Sequence, residues 1–480
     1  MPETDAQTLD NMVCEPGYVR SRYGATKFCD LGGGLNEGAF TLASVKLVTG
    51  SEAFLAIVSA RFSEITTGTE VDRSTTYDAT AAMTNSLWNT CVYRNRIFGC
   101  NGVDRPFVWT GSGDVQLAGW TGPSDVKKLL TVQPYRSRLY FTESGSASYW
   151  YTTAVNNITG ALIEKPLGSV LHFGGYPIFV GSSTNRQGDT SQELFVVYSS
   201  EGEVLIYSGR YPDDASWTLI KRSKIAPPLD VRCYVYTNTD LYLITRVGPI
   251  SVDELLSSAI DNPLQLESSK VRQYFIDAAA AFVAGQPAVC HATYCPNKNY
   301  TMFNLRSTNA DATDTTQLVI NNATKAWSRW GGIPMNCSAT FGGELYTSGL
   351  GADVYLMDVK YGTSYIAAYL IKQAYSFLDN PKANKKVTMM QPLITFQKTS
   401  GSEATDSLTY GADADLESPA ALNTMSFQVT SSTAKLNKPV MPLTAYGKAL
   451  ALRFEDTPSV SYDARFYGSW LQVEDAGGLT

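Results

Sequence analysis

Seven short stretches decide the fold: EAFLAIV from Glu52, NRIFGC from Asn95, SRLYFTE from Ser137, QELFVVYS from Gln192, TDLYLIT from Thr239, KNYTMFN from Lys298 and GELYTSG from Gly343. In each, polar residues precede a short apolar or aromatic run. One position in each serves as a marker: Phe54, Ile97, Leu139, Leu194, Leu241, Tyr300 and Leu345. The gaps between markers are 43, 42, 55, 47, 59 and 45 residues. A strand-built period of ~40–50 residues is the mark of propeller blades, because one small sheet cannot bury its own faces and must stack on the next.

A second regularity supports this reading. Phe107 follows Ile97 by 10 residues, Tyr149 follows Leu139 by 10, Leu205 follows Leu194 by 11, and Tyr355 follows Leu345 by 10. Between them stand the turn sequences CNGVDR, ESGSAS, SSEGEV and SGLGAD. Gly, Asn, Asp and Ser suit hairpin turns because they tolerate positive φ or bond back to the backbone. Two units depart from the rule. The polar insert Ser307–Thr316 stretches one turn, and VGPISVDELL interrupts another.

That interruption is the one helical region. Ser251 with Glu254 three residues on is a capping-box signal. The Ala-rich run from Val271 to Ala284 is bounded by Gly285 and Pro287. Beyond about residue 364 the blade pattern fades, and strand-like runs flank the acidic stretch Ser400–Asn423. The expected architecture is all-β. It comprises an N-terminal segment over 1–39, a β-propeller of six or seven blades over 40–364 with a helical insertion near 251–284, and a C-terminal β-sandwich-like domain over 365–480.

Composition agrees with strands and turns. The 480 residues are 44% hydrophobic and 11% aromatic, which excludes a disordered chain, and only 17% are charged. The net charge is 38 − 45 = −7, which does not describe a nucleic-acid clamp, since phosphate binding needs clustered Lys and Arg. The acidic start MPETDAQTLDNM lacks the features of a secretion signal, and no apolar run is long enough to predict membrane insertion. The eight cysteines are therefore read as reduced thiols, with Cys91 and Cys100 placed where a hairpin could bring them together.

The search for chemistry finds no catalytic constellation. The two histidines, His172 and His291, stand in no metal or triad spacing, and HExxH and GxSxG are absent. His291 lies within CHATYC, which lacks the second cluster a zinc site would need. GGGLN at Gly32–Asn36 lacks the Lys-Ser/Thr of a phosphate loop. No metal or cofactor is expected. The aromatic residues Trp109, Trp120, Tyr149, Trp150, Tyr151, Trp217, Trp327 and Trp330 read as packing between blades rather than as stacking platforms. The acidic group Glu403, Asp406, Asp413, Asp415 and Glu417 reads as a solvated polar loop, with a possible place on a channel or its exit.

Four stretches carry a resemblance. They are Asp10–Gly33, Gln192–Ile225, Leu318–Asp358 and Ala367–Ile394, in this order. Together they resemble the tail nozzle or tail hub protein of short-tailed bacteriophages, also called the packaged-DNA stabilisation protein. The resemblance implies a propeller fused to further β domains and a homo-hexamer ring below the portal and tail adaptor protein. It also implies docking of a tail fibre or tailspike, and double-stranded DNA passing through the lumen without specific binding. A non-enzymatic virion protein, assembled in the bacterial cytoplasm, is the function so implied. The rival readings are a glycan-binding or glycan-cleaving propeller and an interaction propeller of WD type, whose Trp-Asp and Gly-His signatures are missing.

Overall fold

The computed structural model describes residues 6–32, 38–75, 77–79, 81–185, 192–238, 240–257, 267–281, 290–306, 315–333, 335–349, 351–359, 369–373, 384–398, 404–415, 422–429, 435–437, 440–456 and 462–475. The chain forms two units. One comprises 27–315 and 334–355, and the other 1–26, 316–333 and 356–480. They interleave along the sequence, where the sequence reading drew three consecutive segments.

The larger unit is a propeller of seven blades. Blade 1 contains Thr41–Lys46, Glu52–Val58, Arg61–Glu64 and Val71–Asp72. Blade 2 contains Asn89–Tyr93, Arg96–Cys100, Phe107–Trp109 and Gln116–Leu117. Blade 3 contains Leu129–Tyr135, Arg138–Glu143, Ser148–Thr152 and Gly160–Pro166, with Trp120–Thr121 added at its edge. Blade 4 contains Pro177–Asn185, Gln192–Ser199, Glu203–Ser208 and Thr218–Lys224. Blade 5 has three strands, Tyr234–Tyr236, Leu241–Thr245 and Gly248–Ser251. Blade 6 contributes His291–Cys295 and Tyr300–Arg306 within this unit. Blade 7 joins Cys337–Phe341, Glu344–Ser348 and Asp353–Val359 to the early strand Gly24–Asp30.

The marker residues explain the stacking. All seven lie on the second strand of their blade, and none is more than 1% exposed. Blades 1 and 2 share a core of Leu55, Ile57, Phe62, Trp88, Ile97 and Phe107. Blades 2 and 3 share Phe98, Trp120, Leu139 and Phe141. Blades 3 and 4 meet on Tyr135, Tyr140, Tyr149, Tyr151, Phe195 and Leu205, and blades 4 and 5 on Leu194, Val196, Leu241 and Ile250. Burying one such side chain contributes about 1.5–3 kcal/mol, which is why the markers recur at the blade period. Trp109, Trp120 and Trp150 are buried in the blade cores, in line with the packing reading, whereas Trp330 is buried in the other unit and Trp217 and Trp327 are half-buried.

The ring closes between blades 7 and 1. Phe54 of blade 1 stacks on Phe341 of blade 7, with centroids 4.9 Å apart and an interplanar angle of 7°. Phe28, on the early strand, meets Tyr346 edge-on at 4.9 Å. The Leu31 N–H donates to the Ala352 carbonyl (2.6 Å), the Ala39 N–H to Ser348 Oγ (2.9 Å), and Ser44 Oγ to the Thr340 carbonyl (2.7 Å). Gly38 is required by close approach, since a Cβ there would lie 1.6 Å from the Gly349 carbonyl oxygen.

The capping box at Ser251 starts the helix Val252–Ser257, and Ser251 Oγ accepts from the Glu254 N–H at 3.2 Å. A second helix runs Arg272–Ala280 after the 3-10 turn Glu267–Val271, shorter than the 271–284 run suggested. Ser251 Oγ also donates to Asp240, whose other oxygen accepts from the Leu241 N–H at 2.7 Å. Burial, together with the charge of Asp253, pushes the Asp240 carboxyl up to about 6. All eight cysteines are buried and free. The ladder register sets Cys91 opposite Phe98 and Cys100 opposite Asn89, so the two thiols do not face each other.

The second unit is a sandwich. One sheet contains Met12–Glu15, Tyr18–Ser21, Tyr462–Asp475, Lys385–Lys398 and Lys435–Asn437, with Met441–Gly447 also pairing Lys385–Lys398. The other includes Trp327–Trp330, Ala6–Asp10, Tyr369–Gln373, Leu450–Asp456, Ala404–Ala414 and Asn423–Val429. Met390, Ile394, Phe396 and Phe466 from the first sheet pack against Tyr369, Leu408, Leu452 and Phe454 from the second. The buried Arg20 donates both Nη atoms to Asp358 (3.1 and 2.8 Å) and ties the early strands to the end of Asp353–Val359.

Two outcomes follow for stability. Gly38→Ala should lower stability by about 1–3 kcal/mol, since the closing segment must move off blade 7. Gly168→Ala, where a Cβ meets nothing within 4 Å and φ is unstrained, is the control. Equal melting temperatures for both variants in a thermal scan would contradict the seam. The second outcome concerns Asp240. Its folded pKa lies above the unfolded value, so the folded state holds this proton more tightly. Wild-type stability relative to Asp240→Asn should therefore decline as pH rises from 4 to 6, by on the order of 2 kcal/mol, and stay level above 7. A pH-independent difference in denaturant titrations would show that the carboxyl is not perturbed.

Candidate functional site

The first strands of the blades surround the propeller axis. Each lies beside its neighbour, and that of blade 7 returns to that of blade 1. Side chains bridge the bore. Gln133 Nε2 of blade 3 donates to Tyr234 Oη of blade 5 at 2.5 Å. Arg232, just before the first strand of blade 5, donates to the Phe40 carbonyl at the entrance to blade 1, at 3.2 Å. Burial lowers the pKa of this guanidinium, whose neighbours are the Asp230 carboxylate and the thiols of Cys290 and Cys337 at the starts of blades 6 and 7. Arg232 and Phe40 precede the first strands of blades 5 and 1, so their bond stands at the end where those strands begin.

At the other end a cavity of about 500 Å³ remains. Its wall includes Ser44, Thr90, Tyr234, Tyr236, Thr293 and Tyr294. No Asp, Glu, Lys or Arg lines it. The sequence places the tyrosines by simple alternation. In CYVY, Cys233 and Val235 turn into the blade core and are 0% and 5% exposed, so Tyr234 and Tyr236 fall on the opposite face. The Tyr234 ring lies over Phe179 with centroids 4.4 Å apart. Tyr236 keeps 38% of its surface accessible, yet burial raises its phenol pKa. The rim hairpin is fixed by the Thr237 N–H and Oγ1, which both donate to the Asp240 carbonyl (2.9 and 3.0 Å).

A second feature lies on the sandwich. On the outward face of its first sheet, Tyr446, Met389 and Trp470 sit on three hydrogen-bonded neighbouring strands. They are 54%, 39% and 57% exposed. Tyr467, 43% exposed, stands 5.5 Å from the ring of Tyr18. Aromatic rings on a solvent-facing sheet surface have no core role.

The acidic group does not form the loop expected of it. Residues Ala404–Ala414 are a strand in the sandwich, paired with Leu450–Asp456 and Asn423–Val429. Asp413 is fully buried and ion-paired with Lys372. Asp415, in the left-handed region at φ 48°, accepts from the Lys448 and Ala449 N–H groups (2.8 and 2.9 Å) and so fixes the turn after Met441–Gly447. Asp406 lies on the strand, and Glu403 and Glu417 fall outside the described residues. The stretch was compatible with a strand because Leu408, Tyr410 and Ala412 recur at every second position and enter the core, and one buried Asp is tolerated once a Lys pairs with it. The channel-loop reading for Asp413 and Asp415 is therefore replaced by structural roles.

The remaining candidates are also structural. His291 is buried with Nε2 2.8 Å from Ser338 Oγ, while His172 is exposed. No group of His, Cys, Asp or Glu suited to a metal occurs among the described residues. Buried carboxylates serve the fold: Glu203 pairs with Arg222 at 2.7 Å, and Asp104 accepts from the Thr84 and Asn85 N–H groups (3.1 and 3.0 Å). Of Gly32–Asn36, only Gly32 is described. No helix among the described residues is long and apolar enough to cross a membrane. The sequence reading named other aromatic residues and passed over Tyr234, Tyr236 and Tyr294. The period-two alternation in CYVY was the available signal.

No protein-family model matches the chain, and no curated protein matches it. Solved structures that it is similar to include the WD40 β-propeller domain of Doa1 (7% identity, 70% of this chain and 97% of that one, TM-score 0.41). Another is YCF48 from Cyanidioschyzon merolae (12% identity, 69% and 98%, TM-score 0.40). An exo-β-1,3-galactanase from Phanerochaete chrysosporium is similar at 8% identity over 84% of this chain and 100% of that one, with a TM-score of 0.27. At these values the likeness carries no activity, and the propeller assignment rests on the seven-blade topology itself.

Proposed function

We propose that this chain is a virion structural protein of the tail nozzle type. Six copies form a ring that extends the DNA channel below the adaptor, helps retain packaged DNA, and offers a dock for tail fibres or tailspikes. The protein has no catalytic turnover in this reading. Its site of action is the phage tail, after assembly in the bacterial cytoplasm.

The observation that carries the reading is the exposed aromatic face of Tyr446, Met389 and Trp470. A subunit that works alone gains nothing from such a surface, whereas a ring subunit buries it against a neighbour or a docked partner. Two further points agree. The stretches that resemble nozzle proteins fall in both units, as a propeller fused to a further β domain requires. The bore is crossed by the Gln133–Tyr234 and Arg232–Phe40 hydrogen bonds, so in this reading DNA passes through the middle of the ring and not along a propeller axis. A chain with a net charge of −7 suits a lumen through which a duplex must slide.

The test is the mass of the assembled complex. Purified chain mixed with the phage's own adaptor ring should yield, in native mass spectrometry, a complex with six added copies. The double variant Trp470→Ser and Tyr446→Ser should melt as the wild type does and fail to assemble. A chain that stays monomeric beside the adaptor, or that hydrolyses a glycan, ester or peptide substrate, would contradict the proposal.

A further inference from the structure

The recess on the propeller axis has a chemistry of its own, independent of any ring. Its volume of about 500 Å³ falls within the ~300–1,000 Å³ of small-molecule sites. Blade packing alone does not demand it. Blades 3 and 4 meet on a dense tyrosine core, while the recess is left between the first strands of blades 1, 2, 5, 6 and 7. Arg232 donates to the Phe40 carbonyl at the other end of the axis.

The lining selects among ligands. An anion would need a cationic side chain and a metal ion would need carboxylates, and the wall has neither. Ser44 and Thr293 already bond to the Thr340 carbonyl and to Ser338, so they meet a ligand as acceptors, and a purely apolar ligand would leave those lone pairs and the Thr90 hydroxyl unmatched. What the wall offers is aromatic surface beside neutral hydrogen-bonding groups. Gln133 donates to Tyr234 Oη, so the phenol's own proton is not used in that bond. The rings of Tyr234 and Tyr236 meet edge to face at 69° with centroids 5.9 Å apart, which is not the enclosing box that holds a quaternary ammonium.

We infer that this recess binds one neutral saccharide unit, its C–H face on a tyrosine ring and its hydroxyls on the surrounding hydroxyl groups. In a protein exposed at the tip of a particle, such a cup would engage the terminal sugar of a surface glycan. The inference holds equally for a propeller that joins no ring.

Isothermal titration with glucose, galactose and N-acetylglucosamine, and with glucuronate and choline as charged probes, tests the assignment. At least one neutral sugar should bind saturably, and Tyr236→Ala should weaken it about tenfold or more, a loss of about 1.4 kcal/mol. Tyr236 is 38% exposed, so this variant should keep the wild-type melting temperature; Thr293→Val is the second probe should it not fold. Absence of saturable binding by all three sugars, binding unchanged in both variants, or preference for choline or glucuronate would each overturn the inference.

Discussion

The seventh blade is made from both ends of the propeller, and the rest of the molecule depends on that union. Its first three strands come late in the chain and its fourth, Gly24–Asp30, comes before blade 1. Phe28 of that strand joins Phe54, Phe341 and Tyr346 in one aromatic cluster across the seam. Without this closure blades 1 and 7 would each expose a stacking face, and the first strands would not be held around a common axis. The recess lined by Tyr234 and Tyr236 exists because the ring is complete.

Closure is linked to the interleaved order of the units. The chain starts in the sandwich, enters the propeller at Lys27, returns to the sandwich for 316–333, finishes the last blade, and then completes the sandwich. The sandwich core therefore unites residues hundreds of positions apart, from Met12 to Phe466, as the Arg20–Asp358 pair does, whereas each blade core stays local. Such long-range pairing slows folding, because loop-closure entropy is lost before contacts compensate it. It also means that neither unit can be excised as one continuous segment.

The legibility of the sequence followed from how local each signal was. The seven markers were readable because a blade's second strand is apolar by necessity and recurs at the blade period. Ser251 and Glu254 were readable because a helix cap involves neighbours only. The sandwich boundaries were not readable, since Ala6–Asp10 and Trp327–Trp330 pair in space through a register, Asp10 with Arg329, that no local pattern records. The acidic stretch misled for a related reason. A carboxylate such as Asp413 reads as solvated until the distant Lys372 that neutralises it is known. The tyrosines of the recess were visible as residues but not as a site, because it took five blades to bring them to one wall.

A ring-forming role would unite these features. The propeller supplies a rigid body, the sandwich presents Trp470 and Tyr446, and the bridged bore leaves DNA to the space between copies. On the proposed nozzle reading the chain is encoded by a short-tailed phage, and an electron cryo-microscopy reconstruction of that particle tests this most directly. The account predicts six copies around the tail axis, with Trp470 covered at a contact and DNA on the ring axis outside every propeller. A particle without the chain, or one in which it stands singly with Trp470 in solvent, would contradict it.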